Sequence, residues 1–189
     1  MKKTVVINGH SDYEKSFANK AIINGLVEKF NGQNFGDLIE IRTLIELYPD
    51  FKIDVDAEQN ALLEADNIVL QFPLYWYSTP AILKQWIDNV LQRGFSHGSN
   101  GDKLRNKNLI ISITIGSSEI NYPKTQDGYD IEELIAPFRR TSNMIQTNLI
   151  EPVYSFSMTY IPGVNEKEGV LDRVEKHIQK LYNTLINLQ

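Results

Sequence analysis

The chain has no cysteine and only three histidines, His10, His97 and His177, among its 189 residues. Without cysteine it can form no disulfide, thiolate nucleophile, iron–sulfur cluster or thiolate zinc site. The histidines are widely separated and lack metal-ligand spacing, so we predict no metal site. We expect His177 to be a surface residue of the last helix.

Long apolar runs and an excess of positive charge are also missing. No stretch approaches the roughly 20 apolar residues of a membrane helix, and Val5–Ile7 is too short for the core of a signal peptide. We therefore expect no membrane insertion and a cytoplasmic location. The net charge is −5, which disfavours nucleic acid as a partner. The basic residues Lys103, Arg105 and Lys107 are interpreted as a solvated loop.

Short apolar segments alternate along the chain with segments of helical spacing. The predicted strands are Thr4–Asn8, Asp37–Ile41, Asn67–Phe72, Asn108–Thr114 and Ile150–Ser157. This alternation predicts βαβ units and a parallel sheet with helices on both faces. We expect a single domain over residues 1–189, with a doubly wound α/β fold of five strands in the order 2-1-3-4-5.

The helices are predicted from apolar spacing and from capping residues. The first helix runs to about Phe30 with Ser16 as the cap. The others extend from Ala57 to Glu64 with Asp56 as the cap, from Pro80 to about Leu91, from Ile131 to about Gln146 with Asp130 as the cap, and from Glu166 to Leu188. The segment between the second strand and the second helix, Leu44–Val55, is predicted to be irregular.

In such a sheet, ligands bind at the carboxyl ends of the strands, where the winding direction reverses. The loops of interest are therefore Asn8–Ser16, Phe72–Thr79 and Ile115–Tyr129. The first loop leads into a helix, whose first N–H groups and dipole favour a phosphate. It matches neither a nucleoside triphosphate loop nor a dinucleotide fingerprint, and an ordinary capped turn is the alternative.

The charges of this first loop oppose one another. Asp12 and Glu14 count against a phosphate unless they point outward, and Lys15 can offset them. The second loop carries Tyr75, Trp76 and Tyr77 in succession. Aromatic rings at this place suit stacking on a planar ligand, and the alternative is that they pack on the following helix.

Several segments together resemble the flavodoxin-like NAD(P)H:quinone oxidoreductases, in particular bacterial members that include the partner flavoproteins of potassium-efflux systems. They read GHSDYEKSFANKAI, LQFPLYWYSTPAILKQWIDNVL, GFSHG and ITIGSSEINY, and the resemblance covers roughly residues 3–160. It implies a flavodoxin-like fold and a homodimer with flavin sites at the interface. It also implies two-electron hydride transfer from NAD(P)H to a quinone or similar acceptor in a ping-pong cycle.

The resemblance leaves the cofactor and the role partly open. The chain ends with its fifth predicted helix, without the extension of the longer members that bind FAD, which favours FMN over FAD. One alternative function is a flavin-binding regulatory subunit of a potassium-efflux transporter. Another is an electron carrier like flavodoxin.

The residues at matching positions carry the family's roles over to this chain. The phosphate or pyrophosphate of the flavin is assigned to His10, Ser16, Phe17 and Asn19, its isoalloxazine ring to Pro73, Leu74, Tyr75, Trp76 and Tyr77, and its pyrimidine edge to Thr114, Gly116 and Ser117. Tyr122 matches a tyrosine that offsets charge on the reduced flavin. His97 stands where an active-site tyrosine often stands, which predicts a role in acceptor preference, and an exposed loop histidine is the alternative.

The chain also departs from the family pattern. The third loop of the family usually reads Thr-Thr-Gly-Gly, whereas Ile115 and Ser117 stand here at its second and fourth positions, so one hydroxyl donor is lost. The histidine that works beside the tyrosine in better-known members has no counterpart near Asp127–Tyr129.

Overall fold

The computed structural model describes residues 2–123 and 130–189. Its strands are β1 (Thr4–Asn8), β2 (Ile39–Thr43), β3 (Asn67–Pro73), β4 (Asn108–Thr114), β5 (Asn148–Leu149) and β6 (Val153–Ser155). All the strand pairs are parallel, and the order β2-β1-β3-β4-β5 is the one predicted. The predicted strand Asp37–Ile41 lies two residues later than expected, at β2.

The edge position beside β4 is filled by two short strands instead of one. Residues 148–149 pair with the start of β4 and residues 153–155 with its end. Pro152 stands between them, and proline has no N–H to donate to a neighbouring strand. The prediction of one strand over Ile150–Ser157 is therefore wrong in its bounds, because pairing begins before it and ends at Ser155.

The helices are α1 (Ala18–Gly32), α2 (Leu44–Leu47), α3 (Val55–Glu64), α4 (Ala81–Val90), α5 (Ile131–Ile145) and α6 (Lys167–Asn187). Asp130 caps α5 as predicted, in a capping box with Glu133. The cap of α3 is Asp54 and not Asp56, since the carboxylate of Asp54 accepts from the Ala57 N–H at 3.0 Å. The short helix α2 lies in the segment that was predicted to be irregular. In the two described ranges, no helix is long and apolar enough to cross a membrane.

Alternate strand residues face two different helical layers. Val6 and its neighbours on β3 and β4 pack against α1 and α6, whereas Ile7 and its neighbours pack against α3, α4 and α5. Trp86 of α4 is 1% exposed in the second layer, and burying a large apolar side chain contributes roughly 1.5–3 kcal/mol. The sheet is thus covered on both faces, and the carboxyl ends of its strands are left to form a site between the layers.

Candidate functional site

A cleft of about 510 Å³ opens at the carboxyl ends of β1, β3 and β4, within the size range of small-molecule sites. Nine of the twelve predicted cofactor-binding residues line it: His10, Ser16, Phe17, Asn19, Pro73, Leu74, Tyr75, Thr114 and Gly116. The other three, Trp76, Tyr77 and Ser117, lie in the same loops but do not line it.

One wall of the cleft is the N-terminus of α1. Its N-cap residue is Phe17, which makes no side-chain capping hydrogen bond, so the prediction that Ser16 caps this helix is wrong. Within the described ranges no side chain accepts a hydrogen bond from the first N–H groups of α1, and the positive end of the helix dipole lies at the cleft. Ser16 and Asn19 add a hydroxyl and an amide to the same wall. Such an arrangement can bind a phosphate.

The acidic residues of the first loop are each paired with a lysine. Lys15 Nζ lies 2.7 Å from a carboxylate oxygen of Asp12, and Lys20 Nζ lies 3.0 Å from one of Glu14. The hydrogen bond from Lys15 lowers the pKa of Asp12. Asp12 lines the cleft together with Lys15, so the negative charge there is offset where an anion would enter.

His10 joins the first loop to the second. Its Nδ1 accepts from the Asp12 N–H at 3.1 Å, and its Nε2 lies 3.2 Å from the hydroxyl of Tyr75. Burial lowers the pKa of His10, against the opposing charge of Asp12. A neutral His10 with its proton on Nε2 satisfies both contacts, since Nδ1 then accepts and Nε2 donates.

The aromatic loop is a tight turn between Tyr75 and Ser78, whose backbone N–H and C=O groups exchange two hydrogen bonds of 3.0 Å. Its central residues, Trp76 and Tyr77, have φ values of 49° and 63°, which is the backbone of a type I′ turn. Such values are uncommon for residues other than glycine and cost of order 1–3 kcal/mol each. The turn directs Trp76 into solvent, where it is 93% exposed. Trp76 and Tyr77 are therefore exposed and not packed on α4.

The third loop forms the far wall with the segment that follows β6. A Cβ at Gly116 would lie 2.5 Å from the Thr159 hydroxyl, so a side chain there would push the two segments apart. The Met158 N–H donates to the Ile115 C=O at 2.9 Å and ties them together. Ser117 instead accepts a hydrogen bond from Asn121 outside the cleft.

Neither predicted catalytic residue lines the cleft. The ring of Tyr122 packs on Phe156 at 5.3 Å, and burial together with Tyr77 raises its pKa. His97 lies in a separate hollow with Leu91 and Arg140. The segment Asp127–Tyr129, where the family's histidine has no counterpart in sequence, lies outside the described residues.

Contrary to prediction, His177 is buried, with 1% exposure. Its Nε2 lies 2.9 Å from the hydroxyl of Ser112, and its Nδ1 lies 2.9 Å from the hydroxyl of Ser155. Burial lowers the pKa of His177 to about 3, and the charge of Lys180 adds to this shift. The face of α6 that carries His177 packs on the sheet, which is why a polar residue of this helix is not at the surface.

His177 is one end of a hydrogen-bonded series that reaches the cleft. Ser112 donates to Gln71 Oε1 at 2.5 Å, Gln71 Nε2 donates to Asn19 Oδ1 at 2.7 Å, and Asn19 Nδ2 donates to Thr114 Oγ1 at 2.9 Å. Sequence reasoning missed Gln71, Ser112 and His177 as members of one network. A signal was present, because Gln71 and Ser112 are polar residues inside apolar strands and occupy paired positions of β3 and β4.

Comparison with known proteins gives one family and many relatives. The family model described as a flavodoxin-like fold matches residues 2–181. The uncharacterized NAD(P)H oxidoreductase YrkL of Bacillus subtilis is 37% identical over 95% of this chain and 97% of its own length.

Two solved structures extend this likeness. General stress protein 14 of Treponema denticola in complex with FMN is 27% identical, with a TM-score of 0.84 and 99% of both chains covered. An NADPH-quinone reductase from P. pentosaceus is 26% identical, with a TM-score of 0.75 and coverage of 94% of this chain and 96% of its own.

Proposed function

Since the chain belongs to the flavodoxin-like fold family, we propose that it is an FMN-dependent NAD(P)H oxidoreductase that reduces small acceptors such as quinones. The observation that carries this proposal is the cleft, which combines an uncapped helix N-terminus with neutral hydrogen-bond donors at the carboxyl ends of the strands. The FMN in the relative from Treponema denticola and the names of the other two relatives support it.

The residues of the cleft fit the two ends of FMN. The N-terminus of α1 and the Ser16 hydroxyl would hold the phosphate, with Lys15 as a nearby cation. Pro73, Leu74 and Tyr75 would lie along the ring. Thr114 and the backbone beside Gly116 would hold the pyrimidine edge, where preorganised donors stabilise negative charge that develops on reduction.

FMN held by these residues would supply two-electron hydride chemistry, by which NAD(P)H is oxidised and a quinone takes up a hydride and a proton to become a hydroquinone. The same place serves both substrates in turn, so the proposed kinetics are ping-pong. A tyrosine phenol is protonated at neutral pH, and burial raises the pKa of Tyr122 further. Since Tyr122 does not line the cleft, the role we propose for it, in which its phenol donates a hydrogen bond that offsets charge on the reduced flavin, would require the phenol to come closer to the cleft than it lies here.

We also propose that the active form is a homodimer with the cleft at its interface. Trp76, Tyr77 and Ile120 are 93%, 64% and 83% exposed in the loops beside the cleft, and exposed apolar groups of this size often mark an association surface. Since His97 lies away from the cleft of its own chain, a role in acceptor preference would require it to act across that interface. Light scattering coupled to size-exclusion chromatography checks this, and a monomer at micromolar concentration would contradict it.

The first test is a visible absorption titration of the purified protein with FMN, FAD and riboflavin, followed by anaerobic NADH or NADPH. We expect FMN to bind more tightly than riboflavin, because riboflavin lacks the phosphate that α1 would hold. One equivalent of reduced nicotinamide should bleach the bound FMN in a single step. A protein that binds none of the three flavins would contradict the proposal, and stable accumulation of a one-electron-reduced flavin during the titration would favour an electron carrier.

A further inference from the structure

The hydrogen-bonded series behind the cleft has one consistent direction. The Ser112 hydroxyl lies 2.5 Å from Gln71 Oε1, an oxygen that only accepts, so Ser112 uses its single hydrogen there. The His177 nitrogen that faces Ser112 must then carry the hydrogen of that contact. In a neutral ring the other nitrogen is unprotonated, and it accepts from Ser155.

The same direction continues to the cleft. Gln71 donates to Asn19, and Asn19 donates to the oxygen of Thr114. That oxygen is already an acceptor, and within residues 2–123 and 130–189 its own hydrogen is engaged by no other group. Thr114 is 4% exposed and lines the cleft, so its hydrogen is available to a ligand there.

We propose that His177 is a positioning residue, whose Nε2–H form sets the direction of this series so that Thr114 presents a hydrogen-bond donor to the ligand in the cleft. The proposal rests on the proposed function, because FMN is the ligand whose pyrimidine edge would accept that hydrogen. The opposite direction requires both amides to be turned over. His177 would then carry its proton on Nδ1, and Thr114 would donate to Asn19 instead of to the ligand.

The protonated nitrogen of His177 decides between these directions. We would record long-range ¹H–¹⁵N correlation spectra of the full chain with ¹⁵N-labelled histidine at pH 7, without FMN. The three histidines are few enough to assign, with His177→Gln removing one set of signals. If that variant does not fold, Ser155→Ala still identifies the ring, since it alters only the ring that it contacts. We expect a protonated Nε2 and an unprotonated Nδ1, and a proton on Nδ1 or on both nitrogens would overturn the proposal.

A pair of serine variants tests the link to the ligand. Ser112→Ala breaks the series between His177 and Gln71, whereas Ser142→Ala removes another buried hydroxyl, which lies 2.8 Å from that of Thr147 and away from the cleft. From the size of one buried hydrogen bond, we expect Ser112→Ala to weaken FMN binding roughly tenfold, measured by quenching of flavin fluorescence. Ser142→Ala should bind FMN as the wild type does.

Equal FMN affinity in the two variants would overturn the role of the series in binding. Urea unfolding of both variants shows whether their losses of stability are comparable, so that a general weakening of the fold is separated from an effect on the cleft. Failure of the wild type itself to bind FMN would contradict the proposed function. A proton on Nδ1 of His177 would overturn the proposal about the direction of the series and leave the proposed function intact, so the two failures are distinguishable.

Discussion

Two buried polar networks lie on opposite faces of the sheet, and they differ in charge and in access. On the face of α3 and α4, the carboxylate of Glu58, 0% exposed, accepts hydrogen bonds of 2.6–2.8 Å from Arg42, Tyr48 and Trp86. On the face of α1 and α6, the series from His177 to Thr114 contains no ionised group and ends at the cleft. The first network is charged and does not reach the cleft, whereas the second is neutral and ends there.

This difference indicates what each network can do. A buried carboxylate needs its partners, because an unpaired buried charge is costly, so the Glu58 network holds α3, α4 and the end of β2 together. Burial and the hydrogen bond to Glu58 raise the pKa of Tyr48 to about 12, which keeps its phenol protonated as a donor. The neutral network places a donor at a ligand site without adding a fixed charge beside it.

Removal of the charged centre should have the largest effect on stability. Glu58→Ala leaves Arg42 without its buried partner and deprives the donors of Tyr48 and Trp86 of their acceptor. We expect a loss of about 3–5 kcal/mol in the free energy of unfolding, measured with urea. Glu64→Ala is the matched control on the same helix, since Glu64 is exposed and pairs with Lys3 at 3.5 Å. It should cost about 1 kcal/mol or less.

Measuring the FMN affinity of the same folded variants tests whether the Glu58 network and the series from His177 to Thr114 act independently. We expect Glu58→Ala to bind FMN as the wild type does, because its network does not reach the cleft. Equal stability losses in Glu58→Ala and Glu64→Ala would contradict the structural role of Glu58. A large loss of FMN affinity in Glu58→Ala would show that the two networks are coupled through the sheet.

The neutral network should make stability depend on pH. Since the pKa of His177 is lowered to about 3 from an ordinary value of 6.5, the unfolded chain binds more protons than the folded one between these values. Stability therefore rises with pH in this window and is lost as the pH falls below 6.5. We expect a loss of about 2 kcal/mol between pH 7 and pH 5.

Urea unfolding of the wild type and of His177→Gln at both pH values checks this. The variant should lack most of the dependence, although its stability at pH 7 is itself lower. His10, whose pKa is also lowered, contributes in the same direction in both proteins and cancels in the comparison. The same pH dependence in the two proteins would show that His177 is not the group that titrates.

The fold and most of the cleft could be predicted because the signals are local or follow from topology. Continuous apolar segments such as Asn108–Thr114 indicate strands that are buried on both faces, and the strand order then places the ligand at particular loops. The sequence does not decide which of two nearby aspartates caps the helix α3. Asp54 and Asp56 are both suitable caps two positions apart, and only the packed helix shows that Asp54 caps it.

What sequence reasoning missed depends on contacts between distant residues. His177 is polar and lies on an amphipathic helix, so its burial follows from two hydroxyls, of which that of Ser112 is 65 residues away. Met158, Thr159 and Tyr160 line the cleft because the edge strand ends at Ser155. A strand that extends to Ser157, as the sequence predicts, leaves these residues less room to turn into the cleft, and the strand order predicts ligand loops only after the first, third and fourth strands.

The smallest expected effect concerns the contact between His10 of the first loop and Tyr75 of the second, at the cleft where the neutral network ends. Tyr75→Phe removes the hydroxyl that lies 3.2 Å from His10 Nε2 and keeps the ring at the cleft. Because Tyr75 is 41% exposed, we expect a loss of only about 0.5–1 kcal/mol in stability and a weakening of FMN binding by a few-fold. Tyr182→Phe, in which the ring packs on Phe30 away from the cleft, is the matched control and should leave FMN affinity unchanged. If the two variants bind FMN equally well, the contact between His10 and Tyr75 stabilises the loops without affecting FMN binding. Of the two arrangements, only the neutral network would then influence how the cleft donates hydrogen bonds to the ligand.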